Sequence, residues 1–154
     1  MIKYPENKIV LLDIVKNQME FEKYNYEDMT YIANKFNLIY KIKAYTINNW
    51  QEFYDWYYEI QQEDYLYNSD EIEGFVIEDS NGFMIKTKLW YYNTWKFLRG
   101  VAHETLNKGY IQRTSSLTIP LHNHFYGWLK QKFKTDISND IISLRDLFYK
   151  DIIN

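Results

Sequence analysis

The chain has 154 residues, no cysteine and a formal net charge of −3, with 46% hydrophobic and 25% charged residues, which suits one ordinary soluble domain. The absence of cysteine excludes disulfides, thiolate zinc sites and cysteine nucleophiles. No apolar run reaches the roughly 18 residues of a membrane-spanning helix, and the N-terminus lacks the apolar stretch of a signal peptide, so we expect a cytoplasmic protein.

The first half of the chain alternates predicted strands with predicted helices. A short apolar, β-branched run predicts a buried strand over 8–15, and alternating runs predict strands over 19–24 and 38–47. Helical spacing predicts one helix over 25–36, capped by Asn25, and another from Asn48 or Asn49 to about residue 62. The second helix carries a stripe that we expect to face the core: Trp50, Phe53, Tyr54, Tyr57 and Ile60.

The second half opens with the clearest hairpin pattern of the sequence. Two alternating runs, 71–79 and 83–88, flank Ser80-Asn81-Gly82, and an Asn-Gly pair between such runs is typical of a hairpin turn. Helical patterns follow over three stretches: 90–106, 122–133 and 144–152. We therefore predict an α+β fold with an antiparallel sheet, divided into a main part over 1–113 and a helical C-terminal segment over 114–154.

Charge is distributed unevenly along the chain. Residues 1–83 hold 7 Lys/Arg against 16 Asp/Glu, whereas 84–134 hold 9 Lys/Arg and one acid, Glu104. A basic block of this kind indicates either a surface that meets a polyanion or an ordinary solvated charged face. The composition does not distinguish these two interpretations.

Two lysines in the hairpin suggest a phosphate site. Lys86 and Lys88 are two apart on a predicted strand, so their side chains share one face. Two neighbouring ammonium groups suit a bound phosphate, whose charge they neutralise, and a carboxylate on the adjoining strand could hold Mg²⁺. The alternative is a pair of solubilising lysines on an exposed strand.

The hairpin also carries a resemblance to a known family. Glu73-Gly74-Phe75-Val76-Ile77 followed by Met84-Ile85-Lys86-Thr87-Lys88-Leu89-Trp90-Tyr91 resembles the last two nucleotidyltransferase motifs of phage-type ATP-dependent RNA ligases. The opening stretch, residues 4–10, is similar to the segment that follows the acidic residue of that family's middle motif. The resemblance covers roughly residues 2–99. It implies a partial nucleotidyltransferase fold that corresponds to the C-terminal part of such an enzyme.

The resemblance also implies roles for individual residues, with ATP and Mg²⁺ as cofactors. Glu73 would contact the metal or the adenylate, Lys86 and Lys88 would contact the phosphates and promote adenylyl transfer, and Gly74 would let the strand backbone approach the nucleotide. Lys96 and Arg99, on the following predicted helix, are added here as candidate RNA phosphate contacts. The family match does not specify these last two.

One motif of the family, which carries its nucleophilic lysine, does not occur in this sequence. Phage-type ligases attack ATP with a lysine in a Lys-x-(Asp/Asn)-Gly motif, and the nearest approach here, Lys134-Thr135-Asp136-Ile137, lacks the glycine. We therefore expect no ligation by this chain alone. An N-terminal nucleotidyltransferase half or a second copy of the chain is the expected protein partner, and RNA the expected substrate. A noncatalytic RNA- or nucleotide-binding module and an inactive truncated product are the alternatives.

Overall fold

The computed structural model describes residue 2, residues 7–112 and residues 114–153. These residues form five α-helices and a two-stranded antiparallel sheet, so the predicted α+β class is confirmed. In chain order the elements are α1 (Tyr26–Lys35), α2 (Trp50–Ile60), β1 (Gly74–Glu78), β2 (Met84–Lys88), α3 (Trp90–Lys108), a 3₁₀ turn (Thr114–Ser116), α4 (Pro120–Lys132) and α5 (Ile141–Ile153).

Contacts divide the chain into two compact units. The smaller unit ends at Phe53, and the larger one comprises residue 2 together with the described residues from Tyr54 onward. The larger unit therefore holds the hairpin and the three C-terminal helices together. The boundary between residues 113 and 114 that the sequence suggests remains a prediction.

In the smaller unit, α1 forms as its sequence predicts. The Asn25 side chain accepts a hydrogen bond from the Asp28 backbone N–H at 2.8 Å, which satisfies one of the donors left unpaired at a helix start. Glu27 and Asp28 lie in the first turn and Lys35 in the last, where each charge complements the helix dipole. Local signals alone therefore account for this helix.

The three predicted strands of the smaller unit are wrong as strands. Within residues 7–53 the pairing is limited to isolated bridges, Leu11 with Tyr40 and Val15 with Lys23. The run over 8–15 is also not buried, since Ile9 is 94% and Leu12 63% exposed. The composition favours extended backbone, but a ladder also needs a partner strand of matching length, which the composition does not supply. Of the opening stretch over 4–10, residues 4–6 lie outside the described residues.

The predicted helix over 49–62 is confirmed as α2, but its predicted core stripe is largely wrong. Ile60 is buried, whereas Trp50 is 84% and Tyr54 67% exposed. The side chain that packs instead is Trp56, which meets the Phe75 ring edge-on at 5.5 Å between centroids. The stripe contained enough aromatic residues to fit several helix faces, so spacing did not select the right one.

The predicted hairpin is confirmed, with β1 and β2 antiparallel and Gly74 opposite Lys88 and Val76 opposite Lys86. Gly82 adopts a left-handed conformation at φ 81° and donates its N–H to the Asp79 carbonyl at 3.0 Å. The Asp79 carboxylate accepts the N–H groups of Asn81 and Phe83, both at 2.8 Å. Asp79 and Gly82 thus fix a three-residue loop and, with it, the strand register.

The core of the larger unit lies between α3, α4 and α5, all three of which the sequence predicted. Trp95, Phe125 and Phe148 are almost completely buried and meet edge-on, with centroids 5.4 Å apart for Trp95 and Phe125 and 5.1 Å for Phe125 and Phe148. Gly109 ends α3 at φ 83°, and a side chain there would meet the Phe133 ring at 2.8 Å. Glycine at this position lets the chain turn toward α4.

Polar contacts attach α5 to the other two helices. Arg145 donates a hydrogen bond to the Tyr91 hydroxyl on α3. Burial, opposed by Arg145, raises the pKa of Tyr91 to about 12, so its hydroxyl keeps its proton at neutral pH. Asp151 accepts from the Trp128 indole N–H at 2.9 Å and pairs with Lys132 at 2.9 Å. Among the described helices, none is long and apolar enough to cross a membrane.

We predict that Phe125→Ala lowers the free energy of unfolding by about 3–5 kcal/mol, because the removed ring leaves a cavity among well-packed neighbours. Phe83→Ala is the matched control, since Phe83 is 67% exposed and its loss should cost about 0.5 kcal/mol or less. Urea denaturation followed by circular dichroism measures both values. Equal losses in the two variants would contradict the described core.

Candidate functional site

The outer face of the hairpin carries both predicted phosphate-binding lysines. Thr87, between them, is buried and accepts a hydrogen bond from the Gln61 side-chain amide at 3.3 Å. Because side chains alternate along a strand, Lys86 and Lys88 point to the opposite face, which they share with Val76. Lys86 is exposed and forms no hydrogen bond or ion pair with a described residue.

Lys88 is held more firmly than Lys86. Its ammonium group lies 3.2 Å from the Glu73 carboxylate and 4.2 Å from the centre of the Tyr92 ring. An ammonium group has three N–H donors, so these two contacts leave capacity for one more acceptor. Glu73, immediately before β1, is therefore brought together with Lys88, as the candidate site requires.

Gly74 has a structural role that is independent of any ligand. Its φ is +150°, and a β-carbon there would lie 2.0 Å from the Thr87 carbonyl oxygen. A side chain at this position would force the two strands apart. The hairpin itself thus requires glycine at residue 74, and its proposed approach to a nucleotide is a separate prediction.

Helix α3 adds positive potential beside Lys88. It begins two residues later, at Trp90, with no side-chain cap on its first N–H groups and no acid in its first turn. Unpaired N–H groups and the helix dipole make such an end favourable for anions. The Tyr92 ring also lies 5.7 Å from the Lys96 ammonium group, so one aromatic ring positions two cations.

The candidate RNA contacts continue along this helix. Lys96 and Arg99 are exposed, and neither forms an ion pair with a described residue. They are three positions apart in the sequence, or about 4.5 Å of helical rise. Tyr92 links Lys88 to Lys96, while Arg99 lies nearly one turn further on. Tyr92 is the residue that sequence reasoning missed, although its position four residues after Lys88 and four before Lys96 was a visible signal.

Glu73 is the carboxylate that pairs with Lys88, and Glu78 lies on the same face of the hairpin at the far end of β1. No group of three His, Cys, Asp or Glu side chains that could hold a metal ion occurs within the described part of the chain. Mg²⁺ in nucleotide sites is commonly bound through one or two carboxylates, water and the substrate phosphates. Glu73 suits that arrangement and does not suit a metal bound by protein ligands alone.

The two histidines of the His122-x-His124 pattern lie apart on α4. His122 is buried, with neither ring nitrogen hydrogen-bonded, and its ring lies 4.5 Å from the Phe97 ring. His124 is exposed. Residues two apart on a helix point in different directions, so this pattern does not form a paired metal site.

An exposed pair of lysines, an adjoining carboxylate and an uncapped helix define a surface of the kind that binds phosphate groups. A family described as RNA ligase matches residues 1–97, which is more than half of the 154 residues, and the chain belongs to that family. No curated protein and no solved structure matches it.

The matched region includes most of the candidate site. Glu73, Gly74, the two hairpin lysines and Lys96 all lie within residues 1–97, and Arg99 lies just beyond them. Most of α3 and all of α4 and α5 are outside the match. The family match therefore covers the hairpin and only the first part of the helical core.

We predict that stability falls as pH drops below about 6.5, because burial lowers the pKa of His122 beneath the ordinary value near 6.5. As pH falls, the unfolded chain takes up a proton on this histidine before the folded protein does. The contribution of neutral His122 to the free energy of unfolding is therefore complete above the ordinary pKa and is lost as pH falls toward the pKa in the folded state. Thermal unfolding of the wild type and of His122→Phe, measured between pH 5 and pH 8, tests this. An identical pH dependence in both proteins would contradict it.

Proposed function

We propose that this chain provides the phosphate-contacting part of an ATP-dependent RNA ligase-type adenylyltransferase. The observation that supports the proposal is the position of Lys86 and Lys88 on the outer face of the hairpin, beside Glu73, inside the segment that matches the RNA ligase family. In this proposal the 154 residues correspond to the C-terminal part of a nucleotidyltransferase domain.

The side chains have distinct roles in this proposal. Lys86, which has no described partner, contacts the nucleotide phosphates directly, and Lys88 contacts them with its remaining N–H donor. Both stabilise the charge that builds on phosphate oxygens during transfer. Gly74 keeps the strand backbone accessible to the nucleotide, and Lys96 and Arg99 contact RNA phosphates.

ATP and Mg²⁺ are the proposed cofactors. Glu73 would hold the metal together with the phosphates, and the metal would neutralise phosphate charge. Glu73 also orients Lys88 through the 3.2 Å ion pair. The Glu73 carboxylate would thus both orient Lys88 and bind Mg²⁺.

The adenylated lysine is proposed to come from another polypeptide segment. None of the 154 residues forms a Lys-x-(Asp/Asn)-Gly motif. The smaller unit exposes large apolar side chains, among them Ile9, Met19 and Phe21, and a partner chain would remove such side chains from water. An N-terminal nucleotidyltransferase half is the first candidate and a homodimer the second.

A noncatalytic RNA- or nucleotide-binding module is the second candidate function. The two hairpin lysines favour this function as well, because the sequence supplies cationic contacts but no Lys-x-(Asp/Asn)-Gly motif. Binding would then be the whole activity. Its affinity would fall steeply with salt, since phosphate contacts release counterions.

We expect no covalent AMP adduct when the purified chain is incubated with ATP and Mg²⁺, because the expected nucleophile motif is not present. The intact mass of the protein measures this. A mass increase of one adenylate would show that a lysine among these residues is the nucleophile, and would contradict the proposal that it comes from another segment.

We predict that Lys86→Ala and Lys88→Ala each weaken binding of pyrophosphate by roughly tenfold, the loss expected for a hydrogen bond between charged groups. Isothermal titration calorimetry measures the affinity, and circular dichroism confirms that each variant folds. Lys108→Ala, at the far end of α3, is the matched control and should bind as the wild type. Unchanged affinity in both hairpin variants would overturn the phosphate site.

A further inference from the structure

A groove on α3 lies next to the candidate RNA contacts and is not used by the proposed adenylyl transfer. It encloses about 500 Å³, within the range of small-molecule pockets. Val101 and Ile111 are buried at its apolar base, and Phe97 is half-buried beside them. We call it the α3 groove.

Glycine inside α3 keeps this groove open. Gly100 lines it, and a β-carbon built there would meet no atom within 4 Å. Glycine inside a helix is unfavourable relative to alanine, and neither packing nor a positive φ explains it here. A long side chain at residue 100 would therefore have room to project into the groove.

The edge of the groove is polar and its approach is cationic. His103 and Glu104 line it, and the Glu104 carboxylate accepts the backbone N–H of Gln112 at 3.4 Å. Arg99 immediately precedes Gly100, and Lys96 immediately precedes Phe97. An apolar base with an aromatic residue beside it, on a helix that carries two exposed cations next to the lining residues, suits a flat ring attached to a phosphate backbone.

We infer that the α3 groove receives a base of single-stranded RNA whose backbone phosphates contact Lys96 and Arg99. This inference rests on the proposed function, since it supplies the site for the RNA that the hairpin would act on. A base in a duplex is stacked and paired, so an unpaired base enters such a groove at the lower cost. Phe97, which packs against His122, would provide the stacking surface.

The positions of the cations indicate the path that the RNA strand would take between the groove and the hairpin. Tyr92 contacts both Lys88 and Lys96, so positive charge continues from the hairpin to the groove without a described acid between Lys96 and Gly100. An RNA strand with one base in the groove would therefore bring its neighbouring phosphates toward Lys88. The groove would set the distance between the bound base and the phosphate site.

The experiment fills the groove without weakening the fold. Gly100→Leu should raise the melting temperature by roughly 2 °C, because leucine favours a helix more than glycine does, and should weaken binding of a fluorescein-labelled single-stranded RNA by about tenfold. Its salt dependence should stay unchanged, because the phosphate contacts remain. Lys96→Ala should instead reduce the salt slope by about 1.

Gly127→Leu is the matched control. Gly127 lies inside α4, also has no atom within 4 Å of an added β-carbon, and lines a different groove. It should raise the melting temperature similarly and leave RNA binding unchanged. If leucine at residue 100 impairs folding, Gly100→Gln fills the same opening with a polar side chain and carries the test.

Two results would overturn the inference. One is wild-type RNA affinity in folded Gly100→Leu or Gly100→Gln, and the other is equal weakening in Gly127→Leu. An RNA of the same length with abasic residues should bind to the wild type and to Gly100→Leu with equal affinity, because it has no base to enter the groove. A remaining difference in affinity would also contradict base binding. Pyrophosphate binding, measured separately, reports on the hairpin, so failure of the groove and failure of the phosphate site are distinguishable.

Discussion

The burial of Thr87 is the constraint on which the candidate site depends. Its side chain lies inside and accepts a hydrogen bond from Gln61, so strand alternation places Lys86 and Lys88 outside. Gly74 reinforces this arrangement, because its missing β-carbon lets β1 approach the Thr87 carbonyl. A register shift by one residue would bury both ammonium groups and expose Thr87, at a high desolvation cost. The orientation of the lysines is thus a property of the hairpin and precedes any ligand.

The two lysines differ in how firmly their side chains are held. Lys88 is oriented by Glu73 and by the Tyr92 ring, so less side-chain entropy remains to be lost on binding. Lys86 has no such support within the described chain and keeps its side-chain freedom. A preorganised cation next to an adaptable one suits a group that enters with one charge distribution and leaves with another. The unpaired N–H groups at the start of α3 extend the same positive region.

Short sequence patterns correctly predicted the structural features that depend on residues close together in the chain. Asn25 as the α1 cap, the Asn-Gly turn and the apolar face of α3 each need only a few adjacent side chains, and all three are observed. The strand over 8–15 failed because its ladder depends on distant partners, and the α2 stripe failed because Trp56 was one of several aromatic residues that could pack. In the candidate site, the alternation of side chains along a strand predicted that Lys86 and Lys88 share one face. The Glu73–Lys88 pair required the register, which the three-residue loop sets, and Tyr92 required the start of α3.

The contact between Tyr91 and Arg145 has a consequence for how the protein is made. The hairpin pairs residues that are close in sequence and can close soon after Lys88 is synthesised. Tyr91, however, immediately follows the hairpin and obtains its guanidinium partner only after 54 further residues have been added. Until then, the Tyr91 hydroxyl has Glu71 within reach but lacks the guanidinium group, and core side chains such as Trp95 stay uncovered. Chaperones that bind exposed aromatic segments would meet this region during that interval of translation.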